Sequence, residues 1–101
     1  MKSEEQRTQF LKKLSECAEN PEALIALGKS CFLSSWYQEA IETYKACIAI
    51  DGSNDAAYYN LGVAFQALGK YRDARDAFLK AIEINPNHEA AQEALNDLAA
   101  Y

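Results

Sequence analysis

The feature that most constrains the fold of this chain is a pattern of apolar and small residues that occurs twice, about 34 residues apart. In the stretch from Asp55 to Asn87 the members of the pattern are Tyr58, Leu61, Gly62, Phe65, Ala74, Phe78, Ala81 and Pro86. In the stretch from Pro21 to Asn54 they are Leu24, Leu27, Gly28, Cys31, Tyr37, Ala40, Tyr44, Cys47, Ile48 and Ile50. Each copy predicts a helix-turn-helix unit, and such units bury their apolar faces only by stacking on neighbours.

The spacing of these residues resembles a unit of the tetratricopeptide repeat (TPR) family along nearly its whole length. The resemblance implies an all-α fold, an α-solenoid of two TPR helix-turn-helix repeats flanked by an N-terminal helix and a C-terminal capping helix. We expect a single TPR domain over 1-101, with a leading helix at 3-18, repeats at 21-54 and 55-88, and the capping helix at 89-101. Phe10 falls in the register of Tyr44 and Phe78, which makes the leading helix the second half of a degenerate repeat.

Small and polar residues predict where the helices begin and end. Asn20 can accept hydrogen bonds from the first amides of the helix that follows it, and we expect Asn87 to do the same for the last helix. Ser35 begins an S-x-x-Q sequence, which is typical of a capping box, so a helix is expected to start there. Gly52 and Gly69 follow apolar runs and are expected to take the left-handed conformation that ends a helix.

Size and charge exclude several classes of protein. The chain of 101 residues has room for one domain, in which roughly 65% of the unfolded surface becomes buried. Its net charge of −5 argues against a phosphate-binding surface, so we expect no nucleic-acid partner. The first residues include no apolar run of signal-peptide or membrane-spanning length, which predicts a soluble, cytoplasmic chain with no membrane insertion.

Few residues could carry out chemistry. His88 is the single histidine, and it is expected to be a solvated loop residue, far in sequence from any nucleophile pair. Cys17, Cys31 and Cys47 lack the spacing of a zinc site or of a disulfide framework. Cys31 and Cys47 occupy apolar repeat positions and are expected to be buried thiols, with a bond between them or a redox role as the alternative. The sequence therefore predicts no enzyme activity, no cofactor and no metal.

For function, the resemblance implies a concave groove that is lined by the first helix of each repeat and takes a peptide or a helix from a partner. The expected peptide-binding residues are Ile25, Lys29, Phe32, Leu33, Trp36, Tyr59, Asn60, Val63 and Gln66. The last helix would add Ala90, Glu93, Ala94 and Asp97. This lining is largely apolar and aromatic. Trp36 takes the place of Lys70 in the next repeat, so it is either folded over Leu33 or offered to a partner.

The same register argues against one ligand class of the family. TPR co-chaperones that grip a C-terminal carboxylate use lysine, arginine and asparagine residues at five positions. In this chain those positions hold Ile25, Lys29, Asn60, Ala90 and Ala94. Only Asn60 matches, and a carboxylate would lose its water without gaining a cationic partner.

The leading hypothesis is a non-catalytic module that binds an apolar or amphipathic peptide segment, as a scaffold, an adaptor or a co-chaperone-like factor. The alternative is a homo-oligomerisation element, or part of a longer array, in which self-association buries the groove or the edge at Trp36. Two repeats make a short stack, and solenoids usually need about three for stability.

Overall fold

The computed structural model describes residues 3–99, which form a stack of six α-helices. The helices are α1 (Glu4–Glu16), α2 (Pro21–Leu33), α3 (Tyr37–Ile50), α4 (Asp55–Ala67), α5 (Tyr71–Ile84) and α6 (Glu89–Leu98). Helices α2 and α3 pair as one antiparallel hairpin, α4 and α5 pair as the next, and α1 and α6 lie at the two ends. The predicted all-α stack of two hairpins between single helices is thus confirmed. The last two residues of the predicted capping helix, 100-101, lie outside the described residues.

Apolar side chains from successive helices form the core. Phe10 of α1 and Tyr44 of α3 belong to one buried cluster, while Phe78 of α5 belongs to another with residues of α6. All three aromatic residues are thus buried in the core, and the assignment of α1 to a degenerate repeat stays a prediction. Within the described part of the chain, none of the helices is both long and apolar enough to cross a membrane.

Glycine allows the two helices of each hairpin to approach closely. A Cβ atom placed on Gly62 would lie 2.6 Å from Cε1 of Phe78, which is far inside van der Waals contact. Gly28 meets the ring of Tyr44 in the same way. An aromatic ring from the second helix therefore lies directly against the backbone of the first, and any side chain at these glycines would displace it.

Two of the predicted helix ends are confirmed and three are wrong. The Asn20 side chain accepts from the N–H of Ala23 over 3.2 Å, and Gly69 is left-handed with φ of 76°. Gly52 is not left-handed, and Ser35, with φ of 63°, is the left-handed residue that ends α2 instead of the cap that begins α3. Trp36 precedes α3 without a side-chain cap. His88, not Asn87, caps α6.

An ion-pair cluster joins α1 to α3. Nη1 of Arg7 donates to Oε2 of Glu39 over 2.9 Å and to Oε2 of Glu42 over 2.8 Å, and Nη2 donates to Oε1 of Glu42 over 3.1 Å. The Glu39 side chain is only 7% exposed. The guanidinium also lies 5.3 Å from the ring centroid of Phe10, so Arg7 holds the leading helix through both polar and aromatic contacts.

Candidate functional site

A hollow of about 310 Å³ opens between α2 and α4. Its lining residues are Lys29, Phe32, Leu33, Tyr44, Tyr59, Asn60 and Val63. Lys29 is the one charged residue among them. We call this the apolar hollow, and its size and composition suit one large apolar side chain of a ligand, with few polar groups available to orient it.

The helical period explains why these residues converge. Lys29, Phe32 and Leu33 lie on one face of α2 because residues three and four apart share a helix face. Tyr59 and Val63 are spaced in the same way on α4. Leu33, at the end of α2, is 84% exposed, more than any other large apolar side chain in the described residues. The rim of the apolar hollow therefore presents an aliphatic side chain directly to solvent.

Two aromatic contacts hold Tyr59 in place. Its ring centroid lies 5.7 Å from that of Phe78 and 5.0 Å from that of His88. His88 is itself held, because its Nδ1 accepts from the N–H of Ala91 over 3.2 Å. One wall of the apolar hollow is thus set before any ligand arrives, which lowers the entropy cost of binding.

Tyr44 of α3 forms the floor. It is 2% exposed, and this burial, together with the nearby Cys31 thiol, raises the pKa of its phenol to about 12. The neutral ring is therefore an apolar surface at any physiological pH.

None of the three cysteines lines the apolar hollow, and two of them, Cys31 and Cys47, are buried. Cys31 and Cys47 are 3% and 0% exposed and belong to different apolar clusters. The Cys47 thiol donates to the carbonyl oxygen of Pro21 over 3.5 Å, and burial raises its pKa. A buried thiol with a raised pKa is a weak nucleophile, which fits a packing role. Among the described residues, His, Cys, Asp and Glu side chains form no group that could hold a metal ion.

The structure brings six of the nine predicted binding residues around the apolar hollow. The six are Lys29, Phe32, Leu33, Tyr59, Asn60 and Val63. Ile25 instead packs against the cluster of Leu24 and Cys47, and Gln66 is half-buried on α4 outside the lining. The role of all nine in binding stays a prediction.

Trp36 lies on a different surface. It packs against the cluster that contains Phe10 and Cys31, and it lines a separate cleft of about 190 Å³ between α1 and α2. Trp36 is therefore separate from the apolar hollow, and it does not fold over Leu33, which is 84% exposed; contact of Trp36 with a partner stays a prediction.

Two residues of the site were missed by sequence reasoning. Tyr44 was assigned to the core, and it is 2% exposed, yet it also lines the apolar hollow. The available signal was that position 44 is a tyrosine, whereas the equivalent residue of the next repeat is Phe78. His88 was assigned to a solvated loop, and nothing in its local sequence indicated that it would stack on Tyr59.

Comparison with known proteins identifies the family of this stack. The family model for the tetratricopeptide repeat matches residues 56–88, and a second model for the TPR repeat matches residues 28–69. The chain belongs to the tetratricopeptide repeat family. The glycines against aromatic rings and the paired helices described above are therefore those of a TPR domain.

Relatives share the TPR domain over part of their length. The inactive TPR repeat-containing thioredoxin TTL3 of Arabidopsis thaliana is 30% identical over 86 residues, covering 85% of this chain and 12% of that protein. The Hsp70-Hsp90 organising protein of Plasmodium falciparum is 33% identical over 66 residues, covering 65% of this chain and 26% of that protein. The TPR domain thus spans a small part of each relative.

A solved structure with the same fold is the first TPR of Spaghetti (RPAP3) bound to the HSP90 peptide SRMEEVD. It superposes with a TM-score of 0.82 at 22% identity, and the match covers 95% of this chain and 76% of that chain. This likeness concerns the arrangement of the helices. It confirms the α-solenoid.

Proposed function

We propose that this TPR domain is a non-catalytic interaction module that holds an apolar or amphipathic segment of a partner protein in its concave groove. The domain would act as a scaffold, an adaptor or a co-chaperone-like factor. The observation that supports the proposal most directly is the apolar hollow, with its fixed Tyr59 wall and its exposed Leu33 rim. Family membership supports a protein partner in general, since the TPR fold serves protein interaction. The repeat boundaries at 21-54 and 55-88 and a cytoplasmic location stay predictions.

The proposal differs from recognition of an acidic C-terminal peptide. One structural neighbour holds the HSP90 peptide SRMEEVD, and one relative is an Hsp70-Hsp90 organising protein. In the register of the family's carboxylate clamp, this chain supplies Asn60 but has Ala90 and Ala94 where cations would be needed. Without those cations a carboxylate would be desolvated and unpaired, so the apolar hollow is the better basis for binding.

Self-association remains the alternative, and the end helices bear on it. In an end-to-end oligomer α6 of one copy would pair with α1 of the next to complete a repeat. By the repeat register, Asn96 of α6 is equivalent to Gly62, which contacts an aromatic ring. Gln6 of α1 is equivalent to Ala74, which is buried. These larger polar residues disfavour that pairing. Sedimentation at several tens of micromolar tests the alternative, and a concentration-independent monomer would exclude it.

A matched pair of variants tests the proposed function. Leu33→Asp places a charge on the rim of the apolar hollow, while Leu79→Asp places one on α5, at a leucine that is 49% exposed and does not line the hollow. In a pull-down quantified by mass spectrometry, we expect Leu33→Asp to lose the partners of the parent and Leu79→Asp to keep them, with equal helicity and melting. Equal capture by both variants would refute the role of the groove.

A further inference from the structure

We infer that the partner segment carries a lysine or arginine close to its apolar anchor, the side chain that enters the apolar hollow. The inference rests on the proposed function and adds the charge of the ligand. It comes from the half of the groove that lies between α4 and α6, where the repeat geometry places carboxylates. We call this the acidic half-groove, defined by Val63, Gln66, Glu93, Ala94 and Asp97.

The repeat relates the two halves of the groove. The apolar hollow is lined by Lys29, Phe32 and Leu33 of α2 and by residues of α4. Each of these α4 residues has an equivalent on α6, one repeat later in the chain. Tyr59 corresponds to Glu93, and Val63 corresponds to Asp97. Val63 links the two halves, because it lines the apolar hollow and also packs against the cluster that contains Ala91 and Leu98 of α6.

The orientation of α6 supports this placement. Ala91 and Leu98 are buried and Ala94 and Leu95 are half-buried, all packing in the cluster around Phe78. At 100° per residue, Glu93 and Asp97 lie on the arc of α6 that corresponds to the arc of Tyr59 and Val63 on α4. Both carboxylates are on exposed residues, so they remain hydrated until a ligand arrives.

The charge of α6 has one sign. Its sequence EAAQEALNDL contains three carboxylates and no lysine or arginine. Lys29 lies at the opposite end of the groove, on α2. The groove therefore runs from a single cation, across the apolar hollow, to a pair of carboxylates, and an amphipathic segment with a cationic side chain complements the second part.

The spacing between the anchor and the cation follows from helix packing. Neighbouring packed helices lie about 8–10 Å apart. An extended chain advances about 3.3 Å per residue. A segment that crosses the first helices of the stack therefore moves from the apolar hollow to the acidic half-groove in about two to four residues, so we place the lysine or arginine at that distance from the anchor.

Selection from a phage-displayed library of random dodecapeptides tests the inference. The parent is compared with Glu93→Lys/Asp97→Lys, which reverses the charge of the acidic half-groove. The matched control is Glu16→Lys/Glu19→Lys, which makes the same change in net charge at exposed residues at the end of α1 and just after it, away from the groove. Glu93 and Asp97 are exposed too, so all three proteins are expected to fold alike.

We expect the parent and the control to enrich peptides in which an aromatic or branched aliphatic residue stands two to four residues from lysine or arginine. The charge-reversed variant should enrich glutamate or aspartate there. For a selected peptide, replacing its lysine by glutamate should weaken binding to the parent about three- to tenfold at low salt, as two exposed ion pairs would. The inference is wrong if the charge-reversed variant enriches the same peptides as the parent, or if the control variant changes the charge preference as much as the charge-reversed variant does.

A further variant separates this outcome from a failure of the proposed function. Leu33→Asp should abolish the enrichment of anchored peptides whatever their charge. If peptides are enriched and lost with Leu33→Asp but show no charge preference, the groove binds as proposed and the charge assignment is wrong. If Leu33→Asp removes none of the peptides that the parent enriches, or if the parent enriches none, the proposed function is wrong and the inference is wrong with it.

Discussion

Replacing Ser35 by glycine should stabilise this protein. Ser35 has φ of 63°, and its surroundings form a Schellman motif, in which the Ser35 N–H donates to the Phe32 carbonyl over 2.9 Å and the Trp36 N–H donates to the Cys31 carbonyl over 2.8 Å. One repeat later, Gly69 stands at the same place with φ of 76° and the same two bonds. Glycine takes this conformation without steric cost, whereas serine does not.

The magnitude follows from two opposing effects. A residue with a Cβ loses about 1–2 kcal/mol in the left-handed region. Replacing serine by glycine removes this cost, but glycine also makes the unfolded chain more flexible, which lowers the free energy of unfolding by about 0.4–1 kcal/mol. Ser35→Gly should therefore raise the free energy of unfolding by about 0.5–1 kcal/mol and the Tm by about 2–8 °C for a domain of this size. Urea unfolding followed by circular dichroism, with an unchanged m-value, measures it.

Gly69→Ser is the reciprocal control. A Cβ atom at Gly69 would have no neighbour within 4 Å, so its cost would come from the backbone conformation alone. We expect a loss of similar size, and Ser35→Gly/Gly69→Ser should return close to the parent. If Ser35 capped α3, as its S-x-x-Q sequence suggests, Ser35→Gly would be slightly destabilising. A neutral or destabilising Ser35→Gly beside a destabilising Gly69→Ser would refute the structural reasoning.

Three further predictions concern packing, charge and pH. Gly62→Ala should lower the free energy of unfolding by up to about 2 kcal/mol, because overpacking of about 1–3 kcal/mol at Phe78 exceeds the helix-propensity gain of about 1 kcal/mol; Gly62→Ala/Phe78→Leu should recover part of the loss in urea titrations. Arg7→Gln should lower the free energy of unfolding by about 1–2 kcal/mol, since it removes the guanidinium from the buried Glu39 carboxylate. In the same urea titrations, Arg7→Gln/Glu39→Gln should lose less than Arg7→Gln alone, and a larger loss in the double variant would contradict this. Stability should also fall as the pH rises from about 10 towards about 12, because the folded state holds the phenol proton of Tyr44 more tightly than the unfolded state. The full effect is about 2–3 kcal/mol, and Tyr44→Phe should lose correspondingly less in melting curves over that range; equal losses would assign alkaline unfolding to other groups.

Much of the site could be predicted from the chain because the pattern is periodic. Residues three and four apart on a helix share a face, so Lys29, Phe32 and Leu33 had to lie together on α2, as did Tyr59 and Val63 on α4. Stacking of the two units then placed both faces on one surface. Ile25 and Trp36 show the limit of this reasoning, since each lies near the predicted groove in the register but packs against a different cluster.

The helix ends show a second limit. A capping box is a local sequence pattern, and the residues from Ser35 to Gln38 match it. In the folded chain the Trp36 N–H bonds back to Cys31, which makes Ser35 the residue that ends α2. The geometry of the whole hairpin sets the turn, and it outweighs a single capping bond.

The amino-acid sequence by itself determined the helices, their order and the small residues that let them pair, because helical periodicity and glycine spacing act over short stretches of chain. Only the tertiary structure decided that Tyr44 forms the floor of the apolar hollow, that His88 supports Tyr59, and that Glu39 is buried under Arg7. Each of these contacts joins residues from different helices, and its existence depends on how close the backbones come. That distance follows from the packing of the complete stack, which no single repeat encodes.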